Sequence, residues 1–143
     1  MKICMVTPHL PPDQAANALL PQLLHDGLVV EEDDILLEKP RFGAFHGTDL
    51  EIVLRNRGIN TVIVTGIATN VCCEMTAREA NVRDFRVFFL SDGTSTFGMG
   101  DLTKEDIQKA TCTTLGAVFA QVVTVDEMMS KITAATGQTL AAE

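Results

Sequence analysis

Cys72 stands where a cysteine can act as a nucleophile. The run Thr61-Val-Ile-Val-Thr65 is short, apolar and β-branched, as expected of a strand buried on both faces. Gly66 punctuates its end, and Thr69 or Asn70 is suited to N-cap a helix starting at Val71. Cys72 then falls in the first turn, where backbone N–H groups lack helical partners and the helix dipole favours negative charge. That setting favours the thiolate, the nucleophilic form of cysteine. The competing role is structural, because free cysteine is among the most buried residue types and commonly behaves as a small hydrophobe. By their 3.6 spacing Cys72, Cys73, Thr76, Ala77 and Ala80 share one helix face, which lets the helix lie close to a sheet.

The second informative stretch is Lys39-Pro-Arg-Phe-Gly-Ala-Phe45. Pro40 biases Lys39 to an extended backbone, and Gly43 allows a sharp bend. A lysine beside Pro40, Phe42 and Phe45 is partly desolvated, which favours an ion pair or the neutral amine. The alternative is an ordinary surface lysine, since lysine is rarely buried.

The remaining elements must position these two residues. Lys2–Thr7 reads as a buried strand, followed by the loop Pro8-His-Leu-Pro-Pro-Asp13 and a helix through Ala15 to Leu20. Asp34–Glu38 is a short strand that delivers Lys39. Thr48-Asp-Leu-Glu51 has the form of a capping box opening a helix that stops at Gly58. Arg86–Ser91 is another buried strand, and Asp92–Gly100 a loop. Thr103 caps a long helix with Ile107, Ala110, Thr111, Thr114, Leu115 and Val118 as its inner stripe. Gln121–Thr124 is a last strand, and Thr124 caps a final helix through Val125, Met128, Met129 and Ile132. The tail 134–143 has few anchors and is expected to fray. Strands alternating with helices predict one α/β domain over residues 1–143. Its fold is a three-layer α/β/α, Rossmann-like parallel sheet.

The stretch Gly66-Ile-Ala-Thr-Asn-Val-Cys-Cys-Glu-x-Thr-Ala-Arg-x-Ala80 resembles the signature of the isochorismatase-like cysteine hydrolases. That family includes nicotinamidases, N-carbamoylsarcosine amidohydrolases and ureide-cleaving amidases. The match continues through Ser91-Asp-Gly-Thr94 and covers most of residues 33–133. The resemblance implies that Cys72 is the nucleophile and Lys39 the catalytic lysine. It further implies a cis Ile67–Ala68 peptide that turns the N–H groups of Ala68 and Cys72 into an oxyanion hole. Phe45, Thr69 and Asn70 are the substrate-binding candidates. The implied activity is cleavage of a C–N bond in a small amide or ureide through a covalent cysteine intermediate.

In the family the third catalytic member is an aspartate ending the first strand, in a pattern like Val-Ile-Asp-x-Gln. No such pattern occurs here, and Lys2–Thr7 with the His- and Pro-bearing loop after it resembles the family's second strand. The expectation is therefore an N-terminally truncated version of the fold. Two neighbouring strands would then face a gap, or expose an edge. Asp13, Asp92 and His9 are the substitute base candidates, each needing to come within hydrogen-bond reach of the thiol. The alternative function is a catalytically impaired pseudoenzyme acting through oligomer assembly. In either case Cys72 is expected to be the most reactive of the four thiols, with turnover slower than that of a full-length relative.

Composition narrows the partners. The chain has 143 residues, a formal net charge of −8 and 46% hydrophobic residues. The acidic balance argues against nucleic acid and anionic membrane as partners. No long apolar run calls for a membrane span, and the first ten residues lack a signal-peptide pattern. Cys4, Cys72, Cys73 and Cys112 show neither zinc spacing nor C-x-x-C, as expected of free thiols in a reducing, cytoplasmic setting. The glycines after Asp92 make no dinucleotide fingerprint, so no cofactor is expected. His9 and Asp13 alone are too few for a metal site, so no metal is expected either. A small-molecule substrate and a homo-oligomer remain, the latter because relatives commonly assemble.

Overall fold

The computed structural model describes residues 4–7 and 34–136. Strands β1 (Cys4–Thr7) and β2 (Ile35–Glu38) pair in parallel, with Cys4 opposite Ile35 and Thr7 opposite Glu38. Strands β3 (Thr61–Ile67), β4 (Arg86–Ser95) and β5 (Gln121–Val123) form a second parallel sheet in the order β3-β4-β5. Among the described residues four α-helices lie between and after them: α1 (Leu50–Asn56), α2 (Glu74–Asn81), α3 (Lys104–Val118) and α4 (Val125–Thr136). This is the expected parallel α/β architecture. Among the described residues no ladder joins β1 to β3, so the strands form two sheets. His9, Asp13 and the predicted helix near Ala15 lie outside the described residues. Among those described, no helix is long and apolar enough to cross a membrane.

The core gathers where both faces of the β3-β4-β5 sheet are covered. Phe89 of β4 and Leu115 of α3 are fully buried. Val64 and Val87 join them from the sheet, Leu50 and Leu54 from α1, and Ala77 and Ala80 from α2. Leu37 of β2 packs against the same cluster and ties the smaller sheet to it. The small face of α2 does what its spacing predicts: Cys73, Ala77 and Ala80 are buried, and the helix lies close to the strands.

Several local expectations are corrected. β3 is not buried on both faces: Thr61, Val62 and Ile63 are only half-buried. Val64 is buried, but Thr65, Gly66 and Ile67 are exposed, and Ile67 keeps 69% of its surface. β4 runs four residues past Ser91. A register shift between Val64 and Gly66 lets pairing resume with Gly66 opposite Thr94 and Ile67 opposite Ser95. Thr48 and Glu51 do not form a capping box. Thr48 Oγ1 does accept from Leu50 N–H at 3.3 Å while donating to the Ala44 carbonyl at 2.6 Å, but Glu51 does not reach back and pairs with Arg55 and Arg83. The stop is as expected. Gly58, at φ +67°, donates to Arg55 O and Ile59 donates to Leu54 O, the paired bonds of a Schellman end. On α3 the buried stripe is narrower than predicted. Ile107, Thr111 and Leu115 are inside, whereas Ala110, Thr114 and Val118 are exposed.

Candidate active site

The turn after β3 is built differently from an ordinary capped helix. Gly66 has φ +118°, a backbone region that side chains rarely adopt. The Ile67–Ala68 peptide is cis, and Ala68 is extended. Thr69–Cys73 then form a π-helical turn that runs directly into α2. Such wide turns are rare and frequently occur at functional sites. The Ala68 carbonyl accepts from the N–H groups of Val71 (3.2 Å) and Cys73 (3.1 Å), passing over that of Cys72.

Neither predicted N-cap residue caps. Thr69 is fully buried, and its hydroxyl donates to Gln108 Oε1 at 2.6 Å. Asn70 accepts from the Thr96 hydroxyl at 2.6 Å and donates to Met99 Sδ at 3.4 Å. Both side chains are drawn across to the β4–α3 side, so the start of the turn carries no side-chain cap. Gln108 was missed by sequence reasoning. The available signal was a polar residue at i+1 from Ile107 and i−3 from Thr111, beside the buried stripe of α3.

Lys39 is buried, with 4% of its surface exposed, so the surface alternative is excluded. Its ammonium donates to the carbonyls of Arg41 (3.0 Å) and Phe42 (2.8 Å), which curls the segment around the charge. Side chains of α2 hold this segment. Ala44 N–H donates to Thr76 Oγ1 at 3.2 Å, and Phe45 N–H to Glu79 Oε2 at 3.0 Å. Thr76 in turn donates to the Cys72 carbonyl at 2.7 Å, so one hydroxyl links the lysine segment to the cysteine's own backbone. The chain bends through residues 40–45 as expected, and Gly43 also leaves needed room. A Cβ there would meet the Glu79 carboxylate at 2.2 to 2.5 Å.

The two adjacent cysteines differ. Cys72 is half-buried; Cys73 is buried and directs its thiol to Thr65 O at 3.8 Å. Burial pushes the Cys73 thiol up to about 12, the Cys72 thiol adds to the rise, and the Lys39 ammonium opposes it. Lys39 is thus close enough for its charge to act on Cys73. Phe45 is a core residue: its ring packs on Phe85 at 5.6 Å between centroids, under the Arg83 guanidinium. Asp92 is spent elsewhere, accepting from Val125 N–H at 2.8 Å at the start of α4. A cavity of about 440 Å³ opens between the end of β4 and α3, lined by Thr94, Thr96, Lys104, Gln108 and Cys112 among others. Neither Cys72 nor Lys39 is among the residues lining it, so this cavity is separate from the candidate chemistry.

A parallel α/β domain that presents a cysteine on a wide turn at a strand's C-terminal end belongs to the open-sheet class that carries its sites there. The sequence model of the isochorismatase domain matches residues 8–127, and the chain belongs to that family. It is 42% identical over 95 residues to nicotinamidase 3 of Arabidopsis thaliana, covering 66% of this chain and 45% of the relative. It is 47% identical over 75 residues to the ureidoacrylate amidohydrolase RutB of Methylorubrum extorquens, covering 52% and 30%. The chain thus spans half or less of the length of these curated relatives. Among solved structures, an isochorismatase-like hydrolase from Alkaliphilus metalliredigens superposes with a TM-score of 0.76 at 28% identity, over 92% of this chain and 72% of that one. A cysteine hydrolase from Pseudomonas syringae gives 0.72 at 31% identity, over 88% and 66%.

Proposed function

We propose that this chain is a cysteine hydrolase that cleaves the C–N bond of a small amide or ureide. The supporting observation is the pairing of an uncapped π-helical turn bearing Cys72 with a buried Lys39 segment docked on the same helix. Cys72 Sγ attacks the carbonyl carbon and forms a C–S bond. The N–H groups of Ala68 and Cys72 hold the developing oxyanion, the kind of stabilisation that is commonly the largest catalytic contribution. The C–N bond breaks, and the amine leaves with the proton that the thiol gave up. Water then cleaves the thioester, releasing the acid and restoring the thiol. Lys39 stabilises the thiolate electrostatically. The substrate class follows from relatives named for nicotinamide and ureidoacrylate amide chemistry. Proton transfer contributes about 10²–10⁴-fold in such reactions. Asp92 accepts from Val125 N–H and is engaged at the start of α4, while His9 and Asp13 lie outside the described residues.

The test is turnover against a panel of amides and ureides, with intact-mass trapping of the acyl-enzyme. Cys72→Ser should abolish both, lowering any measured rate by about 10³-fold or more. Turnover that survives this substitution would overturn the reading.

One observation favours a second reading, a weakly active chain that works through assembly. Among the described residues the outer edge of β3 has no strand partner, and Ile67 beside it is largely exposed. Such edges pair readily with other strands. Light scattering across a concentration series checks it: Ile67→Lys should shift an oligomer toward monomer, and a parent that is monomeric throughout excludes it.

A further inference from the structure

We propose that Gln108 is a positioning residue for the Cys72 turn, acting through Thr69. The inference rests on the reading of Cys72 as nucleophile and adds to it a residue on a different helix.

Thr69 is fully buried at the first position of the π-helical turn, and a buried hydroxyl requires a partner. Gln108 Oε1 accepts from it at 2.6 Å. At the other end of the same amide, Nε2 donates to Ser91 O at 2.7 Å and to Thr94 Oγ1 at 3.0 Å. A carbonyl only accepts, so the NH₂ end must face Ser91, and rotating the amide by half a turn would set two acceptors against each other. The Thr94 hydroxyl is already donated to Leu90 O at 3.0 Å, so towards Gln108 it accepts. The bonds therefore run in one direction, from Thr69 through Gln108 and Thr94 to Leu90.

Thr94 also lies opposite Gly66 in the β3–β4 ladder. The network thus closes on itself: β3 leads into the turn, the turn is bonded to α3, α3 to β4, and β4 back to β3. Thr69 is held by Gln108 of α3, which is itself bonded to β4; it directly follows Ala68 and lies three residues before Cys72. Networks of this kind act as units when every member is satisfied, and among the described residues no buried side-chain polar atom lacks a partner. The chemical consequence is orientation. A displacement of about 1 Å in a reacting group can cost on the order of 10²-fold.

The test follows Cys72 alkylation by iodoacetamide, resolved by peptide mass spectrometry, in Gln108→Met, Gln108→Glu, Thr69→Val and Thr69→Ser. Gln108→Met and Thr69→Val should each slow the reaction by about tenfold, with the double variant no slower than either single one. Thr69→Ser keeps the donor and should restore the parent rate to within about twofold. Gln108→Glu retains the acceptor for Thr69 but sets an oxygen against Ser91 O, and it should be as slow as Met. Parent-like rates in both Gln108→Met and Thr69→Val, or a Thr69→Ser variant as slow as Thr69→Val, would overturn the proposal. If the Gln108 variants do not fold, the Thr69 pair decides. A parent in which Cys72 reacts no faster than Cys112 overturns the nucleophile reading itself, and is recognisable before any variant is made.

Discussion

Helices α2, α3 and α4 each begin just after a strand or its loop, and they begin in two ways. Thr103 accepts from Asp106 N–H while Asp106 accepts from Thr103 N–H, and Thr124 and Glu127 repeat the arrangement at α4. Those two ends satisfy their own backbone donors. The turn leading to α2 does the opposite: Thr69 and Asn70, both suited to capping, bond to Gln108 and Thr96. The same residue types are spent on stability at two ends and withheld at the third, the one that carries the cysteine. An end left without a side-chain cap keeps donors for a ligand's developing charge.

The sharpest way to break this contrast is chemical. Native alkylation should label Cys72 at least about tenfold faster than Cys112, with Cys73 slowest, because thiol reactivity follows exposure and thiolate character. Burial raises the thiols of both Cys73 and Cys112. Equal labelling would remove the distinction between the open and closed ends. The next effect concerns the lysine segment. Gly43→Ala puts a methyl group against the Glu79 carboxylate and should cost about 1–3 kcal/mol in denaturant unfolding, with slower Cys72 labelling. A neutral result would mean that the segment is not docked on α2. Thr124→Ala should cost about 1 kcal/mol and leave the Cys72 rate unchanged, since that cap only stabilises its helix.

The smallest effects are in pH. The Cys73 thiol is raised from 9.0 to about 12, so its protonated form is favoured by the folded state. Its contribution is complete below pH 9 and is lost between pH 9 and about 12. Cys73→Ala should flatten that alkaline fall in melting temperature. Asp106 has the opposite sign. Hydrogen bonds from the Thr103 hydroxyl and N–H hold its carboxyl below the ordinary 3.8, so its contribution is present above that value and fades as pH falls further. Thr103→Ala should therefore reduce the steepness of acid unfolding below pH 3.8.

The closed ends were legible in the sequence because a capping box is local: four residues suffice to specify it at Thr103 and Thr124. The same local reasoning misjudged Glu51, though Thr48 accepts from Leu50 N–H. Arg83, 32 residues from Glu51, takes its carboxylate, and no window around residue 48 contains that competitor. Thr69 and Asn70 failed for the same reason, since their partners lie 39 and 26 residues away. The strand order of elements and the cysteine turn were readable from apolar runs and glycine. The burial of Lys39 needed tertiary contacts, because nothing in Lys-Pro-Arg-Phe announces that two carbonyls of its own loop will bond the ammonium.

The attachment of the lysine segment to α2 has a consequence for motion. Ala44 and Phe45 each entrust their amide proton to a single side chain of a helix more than 30 positions away. Releasing Thr76 and Glu79 leaves α2 with its own backbone bonds, and opening the segment also lifts buried Ala44 and Phe45 out of the core. Opening of the segment by itself is expected to need less free energy than global unfolding. Deuterium uptake at those two amides would report it directly. Uptake there should run ahead of the amides of Ala77 and Ala80, and a ligand that engages Lys39 should slow it.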